Sequence, residues 1–141
     1  MDLSANCRQE VLDLHRFFDD WFNGRVDGSD EIFQRFSSVL DPAFVIIAPD
    51  GRIVERDPLL EAMRQAHGGR AGGAFRIWIE NESCRAAGTD LWLCTYEEWQ
   101  ASGDESRGRV STALFAPDSD APNEVRWLHV HETWLPGPAP K

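Results

Sequence analysis

Residues 127–136 read Trp-Leu-His-Val-His-Glu-Thr-Trp-Leu-Pro and decide the fold more than any other stretch of the chain. They alternate at the period of a β-strand, whose successive side chains point to opposite faces of a sheet. The predicted mixed face consists of Trp127, His129, His131 and Thr133. The predicted apolar face consists of Leu128, Val130, Glu132 and Trp134. Because neither face suits bulk water, we expect a polar-lined pocket on one side of the sheet and a packing surface on the other.

Length and composition predict one folded domain. The chain has 141 residues, and its 42% hydrophobic content with six Trp and eight Phe excludes a disordered chain. A net charge of -10 would repel a phosphate backbone, so we expect no nucleic-acid partner. No apolar run approaches the ~20 residues that span a bilayer, and residues 1–15 carry acids where a signal peptide needs bases. We therefore expect no membrane association and a cytoplasmic location.

The three cysteines are too few for a disulfide framework, and their spacing fits no zinc motif. Cys84 and Cys94 flank a turn at residues 87–90 almost symmetrically, so they can approach each other across a hairpin. In a reducing compartment we favour two small apolar side chains.

Apolar periodicity and turn residues predict three helices, then strands only. The helices are expected at residues 5–23, at residues 30–40, and between a cap at Asp57 and a stop at Gly68. The strands are expected at residues 44–48, 52–54, 74–85, 91–100, 109–116 and 125–135. One domain over residues 1–136 and a mobile proline-rich tail at 137–141 follow.

This order predicts an α+β domain in which helices cover one face of a curved antiparallel meander. The other face then needs a cover as well. Leu128, Val130 and Trp134, with Trp92 and Tyr96 or their odd-numbered neighbours, are too apolar for solvent. We therefore predict a homodimer that packs sheet to sheet.

The motifs FSSVLDPAFVIIAPDGRIVERDPLLEAM (36–63), GRVSTALF (108–115) and EVRWLHVHETWLP (124–136) resemble the nuclear-transport-factor-2-like (NTF2-like) superfamily. More narrowly they resemble its small bacterial SnoaL-like branch and the association domain of calcium/calmodulin-dependent kinases. The resemblance covers residues 5–136. It implies a cone-shaped curved antiparallel sheet wrapped round a long N-terminal helix, with two further helices, a pocket at the open end and a common dimeric state. Superfamily members include isomerases, dehydratases, cyclases, epoxide hydrolases and proteins without catalysis, so fold alone does not assign function.

Two departures from the superfamily's enzymes weaken a transfer of their chemistry. Ketosteroid isomerases place a catalytic carboxylate near the residue before a proline in the first strands, where this chain has Ala48 before Pro49. Epoxide hydrolases use an Arg-x-Asp pair, whereas this chain has Arg109-x-Ser111. The resemblance therefore implies a pocket and leaves its chemistry open.

His129 and His131 point the same way on one strand, with β-carbons roughly 7 Å apart. They can bind a metal together with Glu97 or Glu98, as a two-His-one-carboxylate site. The alternative is one pocket histidine and one histidine bonded to backbone. Because no third histidine follows at motif spacing, we expect no metal and no cofactor, and we assign His131 to acid–base or ligand contact.

Arg109 lies within a predicted strand, where a guanidinium needs a carboxylate partner or an anionic ligand. The partner can be Glu97, Glu98 or Glu132, and both alternatives stay open. Strand alternation puts Tyr96 and Glu98 on one face of the 91–100 strand and Glu97 and Trp99 on the other.

On the first helix, His15 and Asp19 are expected to form a surface pair one turn apart. Trp21 and Phe18 are expected in the core, near the pocket floor.

We predict a small-molecule-binding protein whose pocket takes a small organic acid or a polar aromatic ligand. The alternative is an isomerase-, dehydratase- or cyclase-like enzyme. The candidate catalytic residues are His131, Arg109 and Glu98. The candidate ligand contacts are Trp127, His129, Tyr96, Trp99, Trp21 and Phe18.

Overall fold

The computed structural model describes residues 1–139 and has three helices and one six-stranded sheet in an α+β arrangement. The helices are α1 (Ser4–Phe22), α2 (Asp30–Ser37) and α3 (Arg56–Gln65). The strands are β1 (Leu40–Ile47), β2 (Ile53–Glu55), β3 (Phe75–Gly88), β4 (Leu91–Ser102), β5 (Glu105–Pro117) and β6 (Val125–Trp134). All nine elements lie where the sequence predicts them, with shifts of a few residues at their ends. No helix among residues 1–139 is long and apolar enough to cross a membrane.

The sheet has the order β2-β1-β6-β5-β4-β3. Strands β3 to β6 form the predicted antiparallel meander. Strand β1, however, pairs parallel with β6, so the sheet is mixed rather than purely antiparallel. A parallel neighbour needs a long connection, and here α3 and four strands separate β1 from β6 along the chain.

Helix α1 packs across the concave face of the sheet because its apolar side chains recur at helical spacing. Val11, Leu14 and Trp21 are buried and belong to one core with Trp92 and Phe115 of the sheet. Helix α2 begins after Ser29, whose Oγ caps it by accepting a hydrogen bond from the Ile32 amide. The predicted cap at Asp57 is wrong, because α3 begins one residue earlier, at Arg56.

A β-bulge in β6 changes the predicted faces of the decisive stretch. Phe115 of β5 pairs with Trp127, and Leu114 pairs with His129, so Leu128 is an extra residue between them. Trp127 therefore points to the concave side together with Val130, while His129 and His131 point to the convex side. The prediction that Trp127 shares a face with the histidines is wrong, because strict alternation ignores the extra residue.

The residues chosen for the dimer face also need correction. Trp92, Tyr96 and Val130 are 2–4% exposed and lie on the concave side, where α1 already covers them. Their odd-numbered neighbours on β4, such as Leu93, lie on the convex side, which none of the three helices within residues 1–139 covers. A sheet-to-sheet dimer would use that convex face.

Cys84 and Cys94 are direct partners in the β3–β4 ladder and form a disulfide, with 4.1 Å between their Cα atoms. The preference for two reduced side chains is therefore wrong for this structure. The predicted mobile tail at 137–141 is described only to Ala139, whose amide donates a hydrogen bond to Ser106 Oγ. Residues 140 and 141 lie outside the described part of the chain.

Candidate functional site

A cavity of about 260 Å³ lies between the concave face of the sheet and the helices. Its walls are mainly aromatic and aliphatic, and its polar side chains come from strands β4, β5 and β6 and from α1. The apolar lining includes Leu14, Phe18, Phe22, Phe36, Leu40, Phe44, Ile46, Leu59, Met63, Ile77, Trp127 and Val130. The polar lining includes His15, Tyr96, Glu98, Gln100, Arg109 and Glu132. An apolar pocket with a few converging polar groups is the usual form of a small-molecule site.

Four of these polar residues form an ionic cluster, which we call the cavity cluster: His15, Glu98, Arg109 and Glu132. His15 Nε2 lies 3.1 Å from Glu98 Oε1. Arg109 Nη1 donates to Glu132 Oε1 at 3.1 Å, and Arg109 Nε lies 3.9 Å from Glu98 Oε2. Arg109 on β5 thus lies between two carboxylates, one from each neighbouring strand, β4 and β6.

Hydrogen bonds to neighbouring side chains complete the cavity cluster. Gln100 Nε2 donates to Glu98 Oε2 at 2.7 Å, and Ser111 Oγ donates to Glu132 Oε2 at 3.3 Å. Each carboxylate thus has two donors, one being its charge partner and the other a neutral side chain, and these bonds hold the cluster in one geometry.

Both ring nitrogens of His15 face acceptors, which fixes where a proton must lie. Nδ1 is 2.7 Å from the Val11 carbonyl oxygen and must donate to it, since a carbonyl only accepts. The Nε2 contact with Glu98 therefore needs a further proton, on the imidazole or on the carboxyl. Burial would lower the pKa of His15, but the hydrogen bond and charge of Glu98 outweigh burial and raise it.

The two carboxylates of the cavity cluster have opposite pKa shifts. Burial would raise the pKa of Glu98, but the hydrogen bond and charge of His15, with the charge of Arg109, lower it to about 2. Burial and the nearby Glu98 charge raise the pKa of Glu132, which Arg109 only partly offsets. Tyr96 lies beside them, and burial with the charges of Glu98 and Glu132 raises its phenol pKa well above its usual value. Opposite shifts in neighbouring groups are typical of acid–base pairs and binding sites.

The structure brings five of the predicted site residues to this cavity: Arg109, Glu98, Tyr96, Trp127 and Phe18. It also shows which face of β4 lines the cavity, because Tyr96 and Glu98 point inward. The internal pairing of Arg109, one of the two alternatives, is present. The catalytic and binding roles of these residues remain predictions.

Four predicted site residues lie elsewhere. His129 and His131 line a shallow groove on the convex face, with Thr112 opposite His131, so the prediction that His131 and Arg109 share a cavity is wrong. Trp99 also faces outward and covers Gly108, where a Cβ atom would lie 2.6 Å from its ring. Trp21 is in the core, as expected, and its Nε1 donates to the Met63 carbonyl.

The proposed metal ligands do not converge either, because Glu98 points to the opposite side of the sheet from the histidines. Within residues 1–139, no three His, Cys, Asp or Glu side chains are grouped so that they could hold a metal ion. The polar groups of the cavity are suited to hydrogen bonding, charge pairing and proton transfer.

Sequence reasoning placed His15 on the surface, whereas it is 4% exposed and central to the site. The signal was present, because His15 lies four residues after Val11 and three before Phe18, on the apolar stripe of α1. Gln100 was also missed. Its position two residues after Glu98 puts it on the same face of β4, which marks it as a neighbour once that face is known.

A second buried polar group, which we call the Glu10 cluster, consists of Glu10, Arg35, Asn123 and the indole Nε1–H of Trp127, whose ring also lines the cavity. Glu10 is 0% exposed and accepts hydrogen bonds from three side chains. Arg35 Nη2 donates at 2.7 Å, Asn123 Nδ2 at 2.9 Å and Trp127 Nε1 at 2.9 Å. These bonds join α1, α2 and β6, and the group has the form of a structural connection.

Residues 7–136 match the family described as Sucrose-6-phosphate phosphohydrolase C-terminal. The chain belongs to this family. Sucrose-phosphatase 1 of Nicotiana tabacum is 29% identical over 131 residues, which cover 92% of this chain and 31% of that protein. Probable sucrose-phosphatase 3a of Arabidopsis thaliana is 26% identical over 132 residues, which cover 94% of this chain and 31% of that protein. The chain thus spans about a third of these curated relatives.

Solved structures confirm the cone fold of the NTF2-like superfamily. An NTF-2 like protein of unknown function from Pseudomonas aeruginosa matches with a TM-score of 0.79 and 26% identity, over 92% of this chain and 98% of that chain. The CaMKII hub of S. rosetta matches with a TM-score of 0.68 and 11% identity, over 96% and 98%. The second likeness shows the fold alone. The SnoaL-like branch remains a prediction.

Proposed function

We propose that this chain is a small-molecule-binding domain whose ligand enters the cavity between the helices and the concave face of the sheet. One observation carries the proposal: the charged groups of the cavity cluster contact one another in a cavity whose other lining is mainly apolar. A ligand with an apolar body and one polar end would match this division. At about 260 Å³ the cavity is at the small end for a ligand site, so the ligand would be small.

Of the two ligand classes that the sequence suggests, a polar aromatic molecule fits better than a small organic acid. The charge of Arg109 is already paired with Glu132 and lies near Glu98. The family description names sucrose-6-phosphate. Its phosphate group would bring about -1.5 to -2 charges towards these two carboxylates. We therefore infer that the cavity binds a different small molecule and does not bind the phosphate group of sucrose-6-phosphate.

The test is a matched pair of tryptophan substitutions on β1. Ile46 lines the cavity, whereas Val45 beside it points to the opposite face. We expect 2-phenylethanol to bind the wild-type chain saturably in calorimetry, with one molecule per chain. Ile46→Trp should abolish that binding because the indole fills the cavity, and Val45→Trp should keep it. Equal binding to both variants would contradict the proposal.

A second candidate function is acid–base catalysis on the bound molecule. It is favoured by the raised pKa of Glu132, caused by burial and the Glu98 charge, in a cluster that faces the cavity. His15 would take the part that the sequence suggested for His131. If the cluster transfers protons, the chain should speed the exchange of α-protons of 1-phenyl-2-propanone in D₂O, and Glu132→Gln should remove that gain. Exchange at the buffer rate would leave binding as the function.

We also propose self-association through the convex face of the sheet. Leu93, Val110 and Leu114 are half-buried there and line a shallow groove with Thr112. An obligate contact should bury ~2,000 Å² or more in total. Light scattering should therefore give a molecular mass of twice 15.9 kDa at micromolar concentration. Thr112→Arg should reduce the measured mass to that of the monomer. A monomeric wild-type chain would contradict this proposal.

The cytoplasm remains the proposed location, and the Cys84–Cys94 pair offers a test of it. Disulfides persist in oxidising compartments and are rare in the cytosol of mesophiles. Thiol labelling during cell lysis should find both sulfurs reduced if the chain is cytoplasmic. A fully oxidised pair would point to another compartment.

A further inference from the structure

We propose that the polar end of the ligand is a cation, such as a protonated amine, which pairs with Glu98 and Glu132 in the cavity. The inference rests on the proposed binding function and assigns the ligand's chemical class. It is carried by the pairing of Arg109, the contacts of His15 and the aromatic lining.

The fixed charges of the cavity cluster favour a cationic ligand over an anionic one. Two carboxylates, Glu98 and Glu132, face one permanent cation, Arg109. Because the guanidinium already bonds to Glu132 and lies near Glu98, an entering anion would have to displace a carboxylate or approach two of them. A cation would meet two carboxylates and one arginine, so the balance of permanent charge favours it.

His15 supplies a second positive charge to the cavity cluster when its imidazole is protonated. Its Nδ1 is bonded to the Val11 carbonyl, so its Nε2 reaches Glu98 as a donor only when the ring is protonated. The structure thus uses a removable proton to balance Glu98. An ammonium group that binds beside Glu98 can take over that charge, and His15 can then release its proton.

The cavity walls carry the aromatic rings of six Phe, Tyr and Trp side chains: Phe18, Phe22, Phe36, Phe44, Tyr96 and Trp127. The faces of aromatic rings attract cations, and several rings around one space are a common way to hold an ammonium group. The net charge of -10 also raises the local concentration of cations near the chain. Both features leave an anionic ligand without comparable support.

A pH dependence follows from the groups that surround His15. From the packed strands it faces Glu98 and Tyr96 of β4, Arg109 of β5 and Glu132 of β6. Tyr96 stays neutral and Arg109 stays charged over the working range. Because protonated His15 competes with the ligand, amine affinity should rise with pH, by at most about tenfold per pH unit, until His15 is deprotonated.

The experiment compares three probes with the same phenyl body: 2-phenylethylamine, 2-phenylethanol and phenylacetate. Calorimetry at matched ionic strength measures the affinity of each for the wild-type chain between pH 6 and 9. We expect the amine to bind at least about tenfold more tightly than the alcohol, and phenylacetate to bind most weakly. Titrations in two buffers of different ionisation enthalpy should show release of up to about one proton with the amine and none with the alcohol.

Two variants on one strand locate the effect. Glu98→Gln should reduce amine affinity towards that of the alcohol. Glu97→Gln, which alters the neighbouring outward-facing glutamate, should change neither. If Glu98→Gln does not fold, proton release by the wild-type chain still decides.

The outcomes separate the two proposals. An alcohol that binds as tightly as the amine, a tighter phenylacetate, or amine binding without proton release would overturn the cationic ligand and leave the binding function in place. If none of the three probes binds saturably, the binding function fails, and the ligand class fails with it.

Discussion

Glu10 on helix α1 and Glu98 on strand β4 are both buried, yet their surroundings differ in one respect. Glu10 is 0% exposed, and its partners Arg35, Asn123 and Trp127 enclose it. Glu98 is 8% exposed and lines the cavity, although it too accepts hydrogen bonds, from His15 and Gln100. One buried glutamate, Glu10, thus connects structural elements, whereas the other, Glu98, forms part of a cavity wall.

The difference shows that a buried charge is not by itself a functional site. Both groups satisfy the rule that a buried carboxylate must be paired and hydrogen-bonded. What distinguishes them is access, because Glu98 faces a space that a ligand can occupy and Glu10 does not. The cavity cluster also contains a histidine that can change its charge. We therefore expect changes at Glu10 to affect stability, and changes at Glu98 to affect binding and pH dependence as well.

The largest effect is expected for Glu10→Ala. Removing the carboxylate leaves Arg35 with its charge unpaired and Trp127 Nε1 without its acceptor, so the free energy of unfolding should fall by about 3–5 kcal/mol. Denaturant unfolding measures the change. Glu61→Ala, on the exposed face of α3, is the control and should stay within ±0.5 kcal/mol. A small loss for Glu10→Ala would remove the contrast between the clusters.

The next effect is expected in the pH dependence of stability, compared between the wild-type chain and Glu98→Gln. The pKa of Glu98 is lowered to about 2, so its stabilising effect is present above its ordinary value of 4.5 and is lost as the pH falls towards 2. That loss should amount to about 2–3 kcal/mol. Glutamine does not titrate, so Glu98→Gln should lose less on the acid side.

On the alkaline side the signs are reversed. The raised pKa values of His15 and Glu132 stabilise the fold at low pH, and this contribution is lost as the pH rises through them. Stability should therefore be greatest in mildly acidic solution. In Glu98→Gln the alkaline loss due to His15 should shrink, because its carboxylate partner is gone. Parallel pH profiles of the two proteins would contradict this assignment.

The contrast between the clusters also shows how far the sequence predicts the molecule. Periodicity and turn residues predict all nine elements, because each depends on local spacing. The face of β6 was predicted wrongly at Trp127, since the bulge at Leu128 is set by pairing with β5, and a single strand's sequence does not reveal it. The pairing of β1 with β6 depends likewise on long-range packing.

For the site, alternation grouped Tyr96 with Glu98 correctly, but it could not say which face of β4 meets α1. His15 was assigned to the surface because histidine and aspartate one turn apart are a common exposed pair. Its true partner, Glu98, is 83 residues away in sequence, and only the fold brings the two together. Long-range ion pairs of this kind leave no mark in local spacing.

A smaller effect is expected for Trp127→Phe, which touches both clusters. The ring lines the cavity, and Nε1 donates to Glu10 Oε2. Phenylalanine removes that donor, but Arg35 and Asn123 remain, so the free energy of unfolding should fall by about 1.5 kcal/mol. Binding of 2-phenylethanol should weaken as well, because the cavity loses part of a wall. Unchanged binding with reduced stability would assign Trp127 to the Glu10 cluster alone.

The smallest effect is expected for the double substitution of His129→Asn and His131→Asn. Both side chains lie on the convex face, where β6 pairs with Leu114 and Thr112, and neither reaches the cavity. Removing them should therefore leave the pH dependence of probe binding unchanged, while His15→Gln should flatten it, because His15 is the imidazole beside Glu98. Light scattering of the double variant separates an effect on self-association from one on binding. If the double variant flattens the pH profile and His15→Gln does not, the titrating group belongs to the convex face, and the contrast between the closed and the accessible cluster loses its functional meaning.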